Sequence, residues 1–390
     1  MSAQPPAAQG GPPLKVLHVA ETAQGGVGSY IEEILPLQAR RYGADAVRVV
    51  LPREHAIHFE RLPAASMHAF ALRGAGRMRS MLRMARLTLR QVREWRPDVV
   101  HLHSTYAGFV LRPLLALLPS RPRVVYCAHG WAFDRHAPRW LNRLVARIER
   151  LWARWSDVAI CISRHDLESA QRVGIDSHRL AMVVNGIGEI ESPLPSATSA
   201  QPWPDGRLRV LFVGRLDRQK GIDVLYDAMR QLGDRASALV VGSAVVADER
   251  VAEPPANVHV TGWLPRDRIA THYANAQVLV VPSRWEGFGL VAVEAMRAGR
   301  AVVASRVGGL PEVVEHGVTG WLLDPEDAQS LATLLGELTP ETLCAMGAAG
   351  RLRFERLFHV RRVGDELDGL YRRLLEPHAV CSGRHIADGT

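Results

Sequence analysis

Cysteine is scarce in this chain. The 390 residues hold four: Cys127, Cys161, Cys344 and Cys381. They make no Cys-x-x-Cys pair and no Cys/His zinc spacing, which excludes a disulfide scaffold and a zinc finger and fits a reducing cytoplasm. Long apolar runs are missing too. Hydrophobic residues make up 47% of the chain, yet no run reaches the roughly 18 residues that predict a membrane span. Phe109 to Leu118 and Val278 to Val281, the longest candidates, are too short. The N-terminus is rich in Pro, Ala and Gly and has no signal-type apolar region, so residues 1–13 read as a disordered leader. No short internal repeat is present. No helix-turn-helix, zinc-finger or RNP-type segment accompanies the net charge of +8. That argues against nucleic acid as the partner of a largely Arg-borne charge.

What is present is alternation. Apolar, β-branched runs recur between helical patterns: Leu14–Ala20, Ala46–Leu51, Asp98–His103, Arg123–Ala128, Asp157–Ser163, Ala181–Asn185, then Leu208–Val213, Ala238–Val241, Val258–Thr261, Val278–Val281 and Ala301–Ala304. Strand–helix alternation predicts parallel, doubly wound sheets. A Pro- and Ser-rich stretch, 191–205, reads as a linker. It divides a domain at 14–190 from one at 206–358. A helix at 359–376 and a disordered tail at 377–390 close the chain.

The most informative stretch is Ser283 to Arg300. A buried strand ends at Pro282, a turn with Gly287 and Gly289 follows, and a helix begins. Glu286 stands in the turn and Glu294 about two turns into the helix. Such a turn offers backbone N–H groups at a helix N-terminus, which favours an anion or an electron-rich oxygen. Arg215 and Lys220 flank another strand-to-helix turn and suit a diphosphate: Arg as a fork, Lys as a compact charge. Near the start, Gly25 and Gly26 sit in a strand–glycine–helix arrangement. Their G-G-x-G spacing, with no acid at the tip of the next strand, departs from a dinucleotide fingerprint. His103-Ser104 and His129 follow strands, where open α/β sheets bind ligands. His101 lies inside its strand and reads as structural.

Three segments together carry a resemblance: FVGRLDRQKGIDVLYDA (212–228), SRWEGFGLVAVEAMRAGR (283–300) and ASRVGGLPEVVEHGVTGWLL (304–323). They resemble, in order and spacing, the motifs of retaining GT-B glycosyltransferases of family 4, including the E-x7-E element. The resemblance implies two Rossmann-like domains facing across a cleft, with the last helix crossing back to the N-terminal one. It implies a nucleotide-sugar donor, UDP-hexose or GDP-mannose, held by Gly25, Gly26, Arg215, Lys220, Glu286, Gly287, Phe288, Gly289, Leu290 and Glu294. Glu286 then faces the donor sugar, Glu294 the ribose, and His129 the sugar, with Glu286, His129, Arg215 and Lys220 as the catalytic set. Asn185-Gly186 resembles the domain-boundary segment, but Gly188 stands where the family has an acid and Glu189 follows one place later. His103, Ser104 and Asn185 are acceptor-side candidates. With no Asp-x-Asp pair in the chain, no metal or other cofactor is expected. The acceptor is expected to be a lipid-linked saccharide of surface polysaccharide or lipopolysaccharide synthesis. Rivals are another GT-B enzyme, an epimerase or a phosphorylase, and a basic nucleic-acid-binding protein.

Two segments predict amphipathic helices. Met78–Trp95 has Met78, Met81, Leu82, Ala85, Leu89, Val92 and Trp95 on one side and five Arg on the other. Arg139–Trp155 has Trp140, Leu144, Ile148, Leu151, Trp152 and Trp155 on its apolar side and Arg139, Arg143, Arg147, Arg150 and Arg154 in a basic stripe. Either the apolar faces pack on a core, or the helices dock on the anionic inner face of the cytoplasmic membrane.

Overall fold

In this computed structural model, residues 13–23, 25–58, 64–72, 76–190, 203, 206–243 and 253–376 are described. The expected leader, linker and tail lie outside those residues, apart from Pro13 and Trp203. The chain divides into two compact units. Unit 1 draws its described residues from 1–162, 167–183 and 363–390, and unit 2 from 163–166 and 184–362.

Unit 1 is built on short apolar strands. These are β1 (Val16–Ala20), β2 (Val47–Pro52), β3 (Met67–Phe70), β4 (Val99–His103), β5 (Arg123–Cys127), β6 (Val158–Cys161) and β7 (Leu180–Met182). They form one sheet in the order β3-β2-β1-β4-β5-β6-β7, every pair parallel. β1 and β4 are buried at every position, as strands covered on both faces must be. The helices between the strands are α1 (Gly26–Tyr42), α2 (Arg77–Trp95), α3 (Thr105–Ala116), α4 (Arg139–Trp152) and α5 (Arg164–Arg172), the last belonging to unit 1 from Leu167 onward. The four-residue β3 and the Pro-containing α3 were not separable from loop and apolar run by pattern alone.

Unit 2 repeats the plan. Its strands are β8 (Leu208–Val213), β9 (Ala236–Val241), β10 (Val258–Gly262), β11 (Val278–Val281), β12 (Ala301–Ser305) and β13 (Gly320–Leu323), all parallel, in the order β10-β9-β8-β11-β12-β13. Its helices are α6 (Ile222–Leu232), α7 (Arg266–Asn275), α8 (Leu290–Arg297), α9 (Leu310–Val313), α10 (Ala328–Glu337) and α11 (Pro340–Arg353). Val210, Phe212, Val278, Val280 and Val303 of the strands meet Leu225, Met229 and Leu232 of α6 in one core. The expected pair of parallel, doubly wound sheets is what the chain forms.

The last helix, α12 (Val360–Leu375), belongs to unit 1 from Val363 onward. Arg41 of α1 pairs with Asp365 and donates to the Gly364 carbonyl at 3.1 Å, and the Tyr42 hydroxyl donates to Asp368 at 2.8 Å. Tyr371 is wholly buried beneath them. Glu189, the displaced acid of the boundary segment, makes a two-bond pair with Arg351 at 2.7 and 3.0 Å, so its partner is an arginine of α11.

The two basic helices differ from the simple core-packing picture. On α4, Trp140, Leu144 and Leu151 are exposed, and the buried residue is an acid, Glu149. On α2, Met78 and Leu82 are exposed while Met84, Ala85, Thr88 and Val92 face the core. Glu149 is buried because it has a partner. The Arg112 guanidinium donates to it at 2.6 Å and lies 4.0 Å over the Tyr126 ring, whose hydroxyl donates to the same carboxylate at 3.2 Å. Both charges are almost fully covered, at 1% and 3% exposure. Removing one leaves the other unpaired in a low dielectric, which costs about 3–5 kcal/mol. Glu149→Ala is therefore expected to destabilise unit 1 by that amount in denaturant unfolding. A change below 1 kcal/mol would show that α4 does not depend on this pair.

Candidate active site

In unit 2 the strand order reverses between β8 and β11. Open α/β sheets bind ligands beyond the carboxyl ends of the strands at such a point, where the flanking loops part to opposite sides. Arg215 and Lys220 follow β8, and Glu286 follows β11. The Lys220 ammonium pairs with Glu286, and Ser283 Oγ donates to the same oxygen at 3.4 Å. Both charged side chains keep part of their surface, 19% and 12%. Lysine is rare here, being only Lys15 and Lys220 against 46 arginines, so a compact ammonium at 220 is a distinct chemical choice. Arg215 is held by Asp217 at 3.1 Å and Gln219 at 2.6 Å.

The loop carrying these cations is fastened to the Glu286 turn by a residue the sequence reading passed over. Arg284, buried, donates to both Asp223 oxygens at 2.8 and 2.7 Å, to the Arg218 carbonyl at 2.9 Å, and pairs with Glu326. Its guanidinium holds the Asp223 carboxyl below the usual range. Gln219 adds two bonds, accepting from the Arg284 N–H at 2.8 Å and donating to the Trp285 carbonyl at 3.2 Å. An arginine between a buried strand and a glycine turn, with acids elsewhere in reach, was the available signal.

Glu294 lies in α8, nearly buried, and accepts from the Tyr273 hydroxyl at 2.8 Å. The two carboxylates of the E-x7-E element thus have separate partners. Gly289 caps α8 in the left-handed region, with no side-chain cap and no acid in the first turn. Ala292 N–H donates to the Gly289 carbonyl at 2.9 Å, so the amides of Gly289, Leu290 and Val291 precede the first helical donor and have no acceptor within the helix. Phe288 is buried, its ring at 5.8 Å from that of Phe358. The Gly308–Gly309 loop closes on this turn from beneath. A Cβ on Gly308 would stand 1.7 Å from the Glu286 carbonyl oxygen, and one on Gly309 2.6 Å from that of Gly287. Glu312 accepts from the N–H groups of Arg164 and His165 at 2.7 and 2.8 Å, so it is a cap for that segment. Asn185 is buried, and its side-chain oxygen has no hydrogen-bond partner.

Unit 1 has its own reversal, between β1 and β4. Gly25, with φ 62° and open space where a Cβ would be, caps α1, and Gly26 begins that helix. No side chain makes a cap hydrogen bond at the start of α1, and no acid stands in its first turn. Beyond β4, Ser104 takes φ 77°, and beyond β5, His129 takes φ 56°, a backbone region unfavourable for residues with a Cβ. His129 Nε2 meets His103 Nδ1 at 3.0 Å, His103 Nε2 meets His18 Nδ1 at 2.9 Å, and His18 Nε2 meets Gln38 Oε1 at 2.7 Å. His101 is bonded to the Tyr371 hydroxyl at 2.7 Å. His103 is therefore wholly buried behind His129.

Burial lowers the pKa of these histidines: His18 from 6.5 to about 4, His129 to about 3, and His101 and His103 well below 6.5. The folded state keeps them neutral while the unfolded chain takes up protons below pH 6.5. Their contribution to stability is full above that pH and is lost as pH falls toward the folded values. Unfolding free energy is expected to drop between pH 6.5 and 4, and a flat profile there would contradict burial of the cluster. Gly308→Ala is expected to cost more than about 1 kcal/mol, because the new Cβ meets a carbonyl at positive φ. An unchanged melting curve would overturn that packing.

Residues 25–186 match the model of the glycosyl transferase 4-like domain, and residues 207–339 that of glycosyl transferases group 1. An uncharacterized 41.2 kDa protein in the cps region of Klebsiella pneumoniae is 28% identical over 334 residues, 84% of this chain and 90% of that one. The D-inositol 3-phosphate glycosyltransferase of Thermobifida fusca is 34% identical over 301 residues, 65% of this chain and 64% of that one. Among solved structures, Anabaena HepE in complex with UDP-glucose superposes with a TM-score of 0.75 at 20% identity, covering 92% of this chain and 99% of that one. The chain belongs to the group 1 glycosyltransferases, family 4 of the GT-B fold.

Proposed function

We propose that this glycosyltransferase moves a hexosyl unit from a nucleoside diphosphate sugar to a saccharide hydroxyl, with retention at the anomeric carbon and without a divalent metal. The observation that carries the reading is the Lys220–Glu286 pair at the reversal of the unit 2 sheet, beside the uncapped N-terminus of α8. In the reaction the bond from the anomeric carbon to the β-phosphate oxygen breaks, and its electron pair leaves with the nucleoside diphosphate. Arg215 and Lys220 stabilise the charge that builds there, the role a metal fills in enzymes with an Asp-x-Asp pair. Glu286 orients the sugar hydroxyls, Glu294 accepts from the ribose hydroxyls, and the amides of Gly289 and Leu290 hold sugar oxygens. The acceptor oxygen attacks from the face the leaving group vacates, and its proton passes to the departing phosphate. His129 serves as a further sugar contact.

HepE, solved with UDP-glucose, makes a UDP-hexose the first donor to try, with GDP-mannose next. The relative from a cps region supports a surface polysaccharide as the destination, on a lipid-linked acceptor. The exposed Trp140, Leu144 and Leu151 beside the Arg stripe of α4 support docking on an anionic membrane surface. A surface cavity of about 420 Å³ beside it brings together Arg147, Arg150, Arg154 and Arg179 with one acid, Asp176, a net cationic lining that suits an anion. No helix among the described residues is long and apolar enough to cross a membrane.

Slow donor hydrolysis, with water as acceptor, tests the reaction without a known acceptor. UDP-glucose, UDP-galactose and GDP-mannose are incubated in EDTA, and the first-formed sugar anomer is read by NMR. The α anomer is expected, and Lys220→Ala is expected to lower kcat about 10²–10³-fold. A β product, or turnover only after metal is restored, would contradict the mechanism. In vesicle flotation, Arg143→Glu with Arg147→Glu is expected to weaken binding to anionic liposomes by about 1 kcal/mol or more per site. Equal binding to neutral vesicles would remove the membrane role.

A further inference from the structure

We propose that Gln38, His18 and His103 form a hydrogen-bonded chain that fixes His129 as its Nε2–H tautomer and leaves its Nδ1 as an acceptor. The consequence for catalysis rests on the reading of His129 as a contact to the donor sugar. The chain itself rests on geometry within unit 1.

A neutral imidazole has one donor and one acceptor nitrogen, so a row of imidazoles must point one way throughout. The direction is set where the row ends on a group of fixed polarity. That group is Gln38. Its Oε1 faces His18 Nε2 at 2.7 Å, and its Nε2 faces the Tyr371 hydroxyl at 3.5 Å. A carbonyl oxygen only accepts, so His18 donates from Nε2 and accepts at Nδ1. His103 must then donate from Nε2 across the 2.9 Å separation and accept at Nδ1. His129 must donate from Nε2 across 3.0 Å, and its lone pair falls on Nδ1. The Tyr371 hydroxyl is also hydrogen-bonded to His101 Nδ1 at 2.7 Å.

Two features make the chain a positioning device. His18 and His103 are buried in adjacent strands, at 1% and 0% exposure, so their rings are shut off from solvent and held by the strands that carry them. His129 stands on strained backbone at the strand end, where a ring held at one nitrogen and against the Tyr30 edge at 4.9 Å keeps a single orientation. The device therefore reaches from α12, through Tyr371 and Gln38, to the loop after β5.

The same three rings, His18, His101 and His103, have nitrogens within 4.8 Å of one another, and His101 Nε2 is buried without a partner. A shared metal ion would also explain that. The 2.9 Å between His18 Nδ1 and His103 Nε2 fits a hydrogen bond and is too short for two ligands of one tetrahedral ion. Two nitrogens about 2.0–2.1 Å from one tetrahedral ion stand about 3.3 Å apart, whereas 2.9 Å is a hydrogen bond.

The test is a long-range ¹H–¹⁵N spectrum of the full chain labelled with ¹⁵N-histidine at pH 7, assigned by single His→Gln variants. The Nε2–H tautomer is expected for His18, His103 and His129 together. His103→Asn, which keeps an acceptor for His129, is expected to hold His129 in that form, while His103→Leu lets it populate both tautomers. An Nδ1–H tautomer at His103 or His129 in wild type would overturn the chain. So would metal-shifted nitrogens together with stoichiometric zinc or copper in the purified protein. Because the wild-type spectrum needs no substrate and no variant, the two readings fail separately. Absent donor turnover with these tautomers intact would count against the sugar reading alone, and wrong tautomers with normal turnover against the chain alone.

Discussion

The Lys220–Glu286 ion pair exists because the sheet of unit 2 turns around between β8 and β11. Consecutive strands lead their connections to one side until that point and to the other side after it. The loops after the two flanking strands are then left with an open crevice. One loop brings cations and the other brings a carboxylate. Opposite charges that remain partly solvated satisfy each other at modest cost, and a ligand with its own phosphates and hydroxyls can exchange with both partners. Arg284 makes the arrangement hold by tying the two loops through Asp223, Glu326 and the Arg218 carbonyl.

The glycines of this region serve the same end. Gly308 and Gly309 allow one backbone to lie against another at distances that no Cβ would permit. The turn carrying Glu286 is thereby supported by a second backbone, and the N-terminus of α8 carries no side-chain cap hydrogen bond. Unit 1 applies the same topology with different chemistry. Its reversal, between β1 and β4, places histidines in adjacent strands, where burial keeps them neutral and hydrogen bonding orders them.

Much of this was legible in the sequence. Apolar strands such as VLVV and VVHLH, alternating with helical periods, carry the parallel-sheet signal, because strands buried on both faces need no polar alternation. The Glu286 turn and the Arg215–Lys220 loop were legible because glycine and charge stand out against an apolar background. Other features depend on residues distant in sequence. Arg284 reads as a surface arginine until Asp223 and Glu326 are brought beside it. The histidine chain joins positions 18, 38, 103 and 129, and no local pattern links them. By periodicity the apolar side of α4 suits a core or a membrane surface, because periodicity cannot say which face is covered or by what. Here Glu149 turns inward, because Arg112 and Tyr126 await it, and Trp140 stays outside.

The central claim is that unit 2 binds a nucleoside diphosphate through this reversal point, with Glu294 on the ribose. The direct measurement is a thermal-shift titration of wild type and Glu294→Ala with UDP, GDP and ADP in EDTA. A ligand that binds only the folded state raises its stability by mass action, by about 2.7 kcal/mol at a hundred times Kd. One nucleotide should raise the melting temperature of wild type in the absence of metal, and Glu294→Ala should lose most of that shift. Equal shifts in both proteins would contradict the ribose role, and no shift with any nucleotide would contradict the donor site itself.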